Sequence, residues 1–97
     1  MIKTTQELLQ YIADRAKTSR LALNLTQTGL EQRSGVSLGT IKKFERTGKI
    51  SLESLLKIAI ALGATKEFEG LFGESAGVVS IDDLLKQSKK RKRGSVT

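Results

Sequence analysis

The sequence predicts an all-α chain: a compact five-helix domain, then a short amphipathic helix and a basic tail. Three observations predict it. Apolar residues recur at helical spacing in one segment after another. Hydroxyl residues suited to helix N-termini (Thr4, Thr26, Ser37, Ser51) precede those segments, and Gly35 and Gly63 follow two of them. Third, residues 26–49, TQTGLEQRSGVSLGTIKKFERTGK, wind as two short helices about a turn, with one set of side chains hidden and a basic set presented.

Ninety-seven residues are one domain with room for a modest core. No apolar run approaches the ~20 residues of a membrane span, and Gln and Glu interrupt the N-terminal MIKTTQELLQ where a signal peptide needs an apolar centre. With no cysteine either, the expectation is a cytoplasmic, redox-indifferent protein. On that expectation the Asn24-Leu25-Thr26 sequon is chance. The absence of His, Cys and Trp removes most catalytic and metal-binding vocabulary, so no cofactor or metal is expected. Ser54 and Lys57 match a Ser-x-x-Lys nucleophile pattern without its partner motifs. Gly48-Lys49 ends no phosphate-binding loop, because Ile50 stands where a hydroxyl is required. An enzyme is not expected.

Charge is sorted along the chain. Residues 1–32 hold four cations against three acids, residues 33–49 five against one, residues 50–85 two against six, and residues 86–97 six against none. Solubility alone does not need this separation; a polyanionic partner does.

In order, Thr4 and Glu7 have capping-box spacing, so a first helix starts at Thr5. Leu8, Leu9, Ile12, Ala13 and Ala16 share a face, and the helix fades near Leu23 with Asn24 as a left-handed cap. Thr26 caps a second helix running from Gln27 to about Arg33, in which only Leu30 is strongly apolar. Gly35 lets the chain reverse, Val36 is a small apolar plug, and Ser37 caps a third helix over residues 38–46. Residues 47–49 form a loop, and Ser51 caps a fourth helix. There Leu52, Leu55, Leu56, Ala59 and Leu62, widened by Ile58 and Ile60, imply a strut buried on more than one side. Thr65 caps a fifth helix over residues 66–72, carrying Phe68, Leu71 and Phe72. Residues 73–80 are a connector, and Ser80 and Asp83 offer another capping box before Ile81, Leu84 and Leu85. A helix that short is marginal alone and needs something to dock on.

At ~100° per residue, the third helix gathers Ser37, Ile41 and Phe44 in a narrow inward arc, with Thr40 and Glu45 at its borders. Leu38, Gly39, Lys42, Lys43 and Arg46 fan outward. The outward face carries three cations and no acid, unlike an ordinary solvated face.

These features resemble the Cro/CI-type (XRE) helix-turn-helix regulators. The matching residues are Arg20, Leu25-Thr26-Gln27, Leu30, Gly35-Val36-Ser37, Thr40-Ile41, Phe44-Glu45, Gly48, Ser51-Leu52-Glu53 and Leu62-Gly63. The resemblance covers about residues 5–72 and implies a lambda-repressor-like fold. Two departures stand out. Glu31 occupies a place usually held by a small Ala packed on the recognition helix, so that contact is expected to be looser or rearranged. Thr47 adds a residue to the loop after the third helix. More narrowly, SGVSLGTIKKFERTGKISLESLL, EFEGLF and the basic C-terminus resemble HipB-like regulators, antitoxins encoded beside HipA-like kinases that repress their own operon.

The resemblance assigns DNA contact to Gln27 at the second helix, either as a phosphate ligand that braces the recognition helix or as an ordinary polar first residue. Ser37, Leu38, Gly39, Lys42 and Lys43 match positions facing base edges and nearby phosphates. Lysine donates to the guanine acceptors, and Leu38 packs on a thymine methyl. With two long donors among them, direct readout is modest and DNA shape carries more. Arg46 and Lys49 contact backbone. Arg20 and Glu45 match an architectural ion pair. Thr26 and Thr28 either add phosphate contacts or simply cap and stay exposed. The tail, Lys86 and Lys89, Lys90, Arg91, Lys92 and Arg93, has three readings: an arm on the DNA, a tether to an acidic partner, or a solubilising end. Phe68, Leu71, Phe72 and the 81–85 stripe either fold back on the core or form a dimer seam or partner surface.

The expected organisation is a DNA-binding domain in residues 1–72, a connector and amphipathic helix in 73–88, and a disordered basic tail in 89–97. The expected function is a sequence-specific repressor of double-stranded operator DNA, bacterial and nucleoid-associated when bound. It acts as a homodimer suited to half-sites about 34 Å apart, and as antitoxin to a HipA-like kinase. The other reading is a subunit that chiefly binds the kinase, with DNA binding only in the complex.

Overall fold

The structure, a computed structural model, describes residues 4–73. Five helices occupy them: α1 (Thr5–Ala22), α2 (Gln27–Ser34), α3 (Leu38–Thr47), α4 (Leu52–Leu62) and α5 (Thr65–Glu69). The expected connector beyond Gly73, the helix bearing Ile81, Leu84 and Leu85, and the basic tail lie outside the described residues.

Local chemistry sets most boundaries. The Thr4 hydroxyl accepts the Glu7 amide at 3.0 Å while the Thr4 amide donates to the Glu7 carboxylate at 2.9 Å, closing the expected capping box. Thr26, Ser37 and Ser51 accept amides three residues on, and Gly35, Gly48 and Gly63 take left-handed conformations behind α2, α3 and α4. Asn24 is left-handed, φ 58°, after α1.

α2 and α5, at eight and five residues, are too short to persist alone. Packing holds them. α1 runs along α3, α2 rests on both α3 and α4, and α5 leans on α4. The core joins Ala13, Leu30, Val36, Ile41, Phe44 and Ile58, with Ala16, Ile50, Leu55, Ala61 and Leu62 packed around it. The largest fully buried side chains among these are Phe44, Leu30, Ile41 and Ile58, each stabilising the fold by about 1.5–3 kcal/mol.

Four expectations need correction. On α1, Ala13 is buried and Leu9 and Ala16 are half-buried, but Leu8 and Ile12 stay 46% and 37% exposed, because α3 covers a narrower strip than the apolar stripe. Among the described residues α4 is not buried on several sides: Ile58 and Ala59 face the core, whereas Leu52, Leu56 and Ile60 are exposed. Thr47 extends α3 instead of lengthening the loop, since its hydroxyl donates to the Lys43 carbonyl at 2.7 Å and accepts the Lys49 amide at 3.1 Å. α5 ends at Glu69, with Ala64 rather than Thr65 at its N-cap. Beyond it the chain turns at Gly70, and Phe72, at φ 66°, is 91% exposed.

Gly48 is a steric as well as a conformational requirement. A Cβ there would stand 2.6 Å from the Leu9 carbonyl carbon and 2.7 Å from its Cβ, so α1 and the end of α3 meet through the missing side chain. Gly35 is equally left-handed, φ +79°, but a Cβ meets nothing within 4 Å. Gly35→Ala is therefore expected to cost about 1–2 kcal/mol for its conformation alone. Gly48→Ala should add an overpacking cost of about 1–3 kcal/mol. Urea unfolding of the two variants side by side measures the difference.

Candidate nucleic-acid interface

The site is built on α3, whose two faces separate as the angular projection predicts. Ile41 and Phe44 are buried, while Gly39, Lys42, Lys43 and Arg46 are exposed, as is Lys49 beyond the helix. The projection errs on two residues. Ser37 is exposed rather than inward, its Oγ accepting the Thr40 amide at 3.2 Å and its hydroxyl donating to Thr40 Oγ1 at 2.8 Å. Leu38 is half-buried rather than fully presented. None of Lys42, Lys43, Arg46 and Lys49 pairs with an acid among the described residues. The one described lysine pair, Lys57 with Glu53 at 3.6 Å, lies on α4.

A buried polar knot sets the orientation of α3. Arg20 Nε donates to Glu45 Oε2 at 2.8 Å and Nη2 to Glu45 Oε1 at 3.0 Å, a two-point grip between side chains each 7% exposed. The remaining nitrogen, Nη1, donates to the Leu25 carbonyl at 2.7 Å, and the Leu25 amide donates back to the Arg20 carbonyl at 3.1 Å. Gln27 Nε2 adds a third donor to Glu45 at 3.0 Å. One carboxylate on α3 thus ties α1, the α1–α2 link and α2 together. Gln27 does act as a brace, and Thr28 beside it is exposed.

Three further residues also hold α3: Glu31, singled out above as a departure, and Gln6 and Gln10, which the sequence reading did not single out. Glu31 Oε2 accepts the Leu38 amide at 3.0 Å, so the contact expected to be looser or rearranged is rearranged, into a hydrogen bond at the start of the helix. Gln6 and Gln10 donate to the carbonyls of Thr47 and Glu45 at 3.1 and 3.3 Å, satisfying acceptors at the helix end. Gln6, Gln10, Ala13 and Arg20 fall at helical spacing on α1, the signal by which the two glutamines could have been found.

A helix-turn-helix family model matches residues 17–68, more than half of the chain. The chain belongs to the XRE-type helix-turn-helix family. The match runs from within α1 to Phe68, taking in the Arg20–Glu45 knot and the whole cationic face. No curated protein matches the chain. The described residues have the all-helical, lambda-repressor-like architecture of such domains, and the family is one of DNA-binding transcription regulators. No described helix is long and apolar enough to cross a membrane. Gln6 and Gln10, which hold the end of α3, fall outside the matched stretch.

Removing one partner of the knot strands a buried charge, at a cost of about 3–5 kcal/mol, whereas replacing both with apolar residues costs less. Arg20→Met alone should therefore unfold at markedly lower denaturant than the double variant Arg20→Met with Glu45→Leu. A double-mutant cycle by chemical denaturation measures the coupling.

Proposed function

We propose that this protein is a dimeric repressor that binds operator DNA through α3 and serves as the antitoxin of a HipA-like kinase module. The observation that carries the DNA-binding part is the set of four exposed cations without described counter-ions, presented by a helix whose back is fixed by buried hydrogen bonds. Leu38, Gly39, Lys42 and Lys43 face base edges, with Ser37 at the helix start. Gln27, Thr28, Arg46 and Lys49 hold phosphates. Lysine donates to guanine O6 and N7, and the bare Gly39 permits close approach. The tail from Lys89 to Arg93 follows the DNA backbone.

The antitoxin role rests on the resemblance of residues 34–56, the EFEGLF segment and the basic tail to HipB-like regulators. Exposed apolar side chains support a partner surface: Leu52, Leu56 and Ile60 recur every four residues along α4, and Leu71 and Phe72 follow α5. That surface also favours the second reading, a subunit that chiefly binds the kinase and touches DNA only within the complex.

Purification from the native operon separates the two readings. The co-eluting protein is identified, and binding to the upstream DNA is measured across a salt series, with and without that partner. Equal affinity for upstream and random DNA in both forms sinks the repressor reading, and preference confined to the complex selects the second.

Lys42→Ala combined with Lys43→Ala should abolish preference for the upstream DNA while leaving the thermal midpoint in place. Each lost base contact corresponds to about 1–3 kcal/mol of discrimination. Deleting residues 86–97 should weaken binding equally on all sequences and flatten the salt slope by about 0.9 per phosphate released. An unchanged slope would make the tail a solubilising end.

A further inference from the structure

The anchors of α3 are unevenly placed. Ile41 and Phe44 are buried, Glu45 carries the knot, and Gln10 and Gln6 reach the carbonyls of Glu45 and Thr47, so the second half of the helix is fixed from three sides. The first turn has little of this. Leu38 and Thr40 are half-buried and Gly39 is exposed. The preceding Gly35 is left-handed in open space, and of the turn only Val36 is buried. Yet this turn carries Leu38 and Gly39, two of the four residues that the proposed reading faces to base edges.

Among the described residues, its one side-chain hydrogen bond from another helix comes from Glu31. The carboxylate accepts the Leu38 amide at 3.0 Å, and α3 has no acidic residue in its own first turn. A carboxylate there completes an amide that has no acceptor within the helix and matches the positive end of the helix dipole. Gln27 and Glu31 lie four residues apart on one face of α2, so α2 grips α3 at two points, Glu45 and Leu38. Those points are about 10 Å apart along the helix. A tilt pivoting at Glu45 is therefore largest at Leu38, and base-edge hydrogen bonds tolerate only a few tenths of an ångström.

We propose that Glu31 is a positioning residue that sets where the first turn of α3 sits, and thereby the sequence preference of the domain. This rests on α3 being the DNA-reading helix. Glu31 itself touches no base; it acts through the Leu38 amide.

The test uses the full chain with Glu31→Ala, Glu31→Gln and Glu31→Asp. The wild type first enriches a duplex from a random-sequence pool, and each variant is then titrated with that duplex and with a scrambled one. Glutamine keeps an acceptor oxygen at the same reach, alanine removes it and aspartate falls short by one methylene. The expected result is that Glu31→Ala and Glu31→Asp lose about tenfold of the preference, worth roughly 1.4 kcal/mol, by weaker binding to the enriched duplex alone. Glu31→Gln retains it. Without DNA, the Leu38 amide should exchange its hydrogen about tenfold faster or more in Glu31→Ala than in the wild type, in step with a lost hydrogen bond. If Glu31→Ala does not fold, the aspartate and glutamine variants carry the comparison. Wild-type preference in the alanine or aspartate variant overturns the proposal, as does a glutamine variant as impaired as alanine. A wild type that enriches no sequence instead overturns the reading of α3 itself, while the Leu38 exchange rate still reports on the clamp.

Discussion

The structure depends on one buried carboxylate. Glu45 sits on the helix that faces outward, yet its side chain is among the least exposed polar groups, gripped by Arg20 from α1 and Gln27 from α2. Burying such a charge is unfavourable unless it is paired and hydrogen-bonded, and here three donors, two of them from a cation, serve it. The arrangement fixes angle more than it adds stability. An apolar substitute could fill the same volume, but it would let α3 rotate and slide over the core. A fork of two parallel hydrogen bonds permits neither.

Features specified by a few neighbouring residues were legible in the sequence. The caps at Thr4, Thr26, Ser37 and Ser51 and the left-handed Gly35, Gly63 and Asn24 are short-range, and each appears where the residue types demand. The separation of Ile41 and Phe44 from Lys42, Lys43 and Arg46 follows from helical geometry alone. The Arg20–Glu45 pair was reached through family resemblance, since nothing within either segment requires it.

What was misjudged depends on how helices meet. The width of an apolar stripe does not reveal how much of it a neighbour covers, so Leu8, Ile12, Leu52, Leu56 and Ile60 were placed inside and lie outside or at the edge. Glu31 looked like a misfit in a small-residue position because its target, the Leu38 amide, is invisible until α2 and α3 are set side by side. Thr47 looked like loop because the acceptor it satisfies, Lys43, and the donor that satisfies it, Gln6, lie four and 41 residues away.

The cationic face of α3 has a consequence for the free protein. Lys42 and Arg46 stand four residues apart and Lys43 and Arg46 three, spacings at which like charges repel by a few tenths of a kcal/mol per pair. No described acid neutralises them. The helix therefore carries self-repulsion that added salt relieves and that phosphates relieve more completely. Ionic strength pulls in two directions, firming the unbound fold while loosening its hold on a polyanion. The unbound domain is then least at ease in the dilute salt where its attraction to phosphate is strongest.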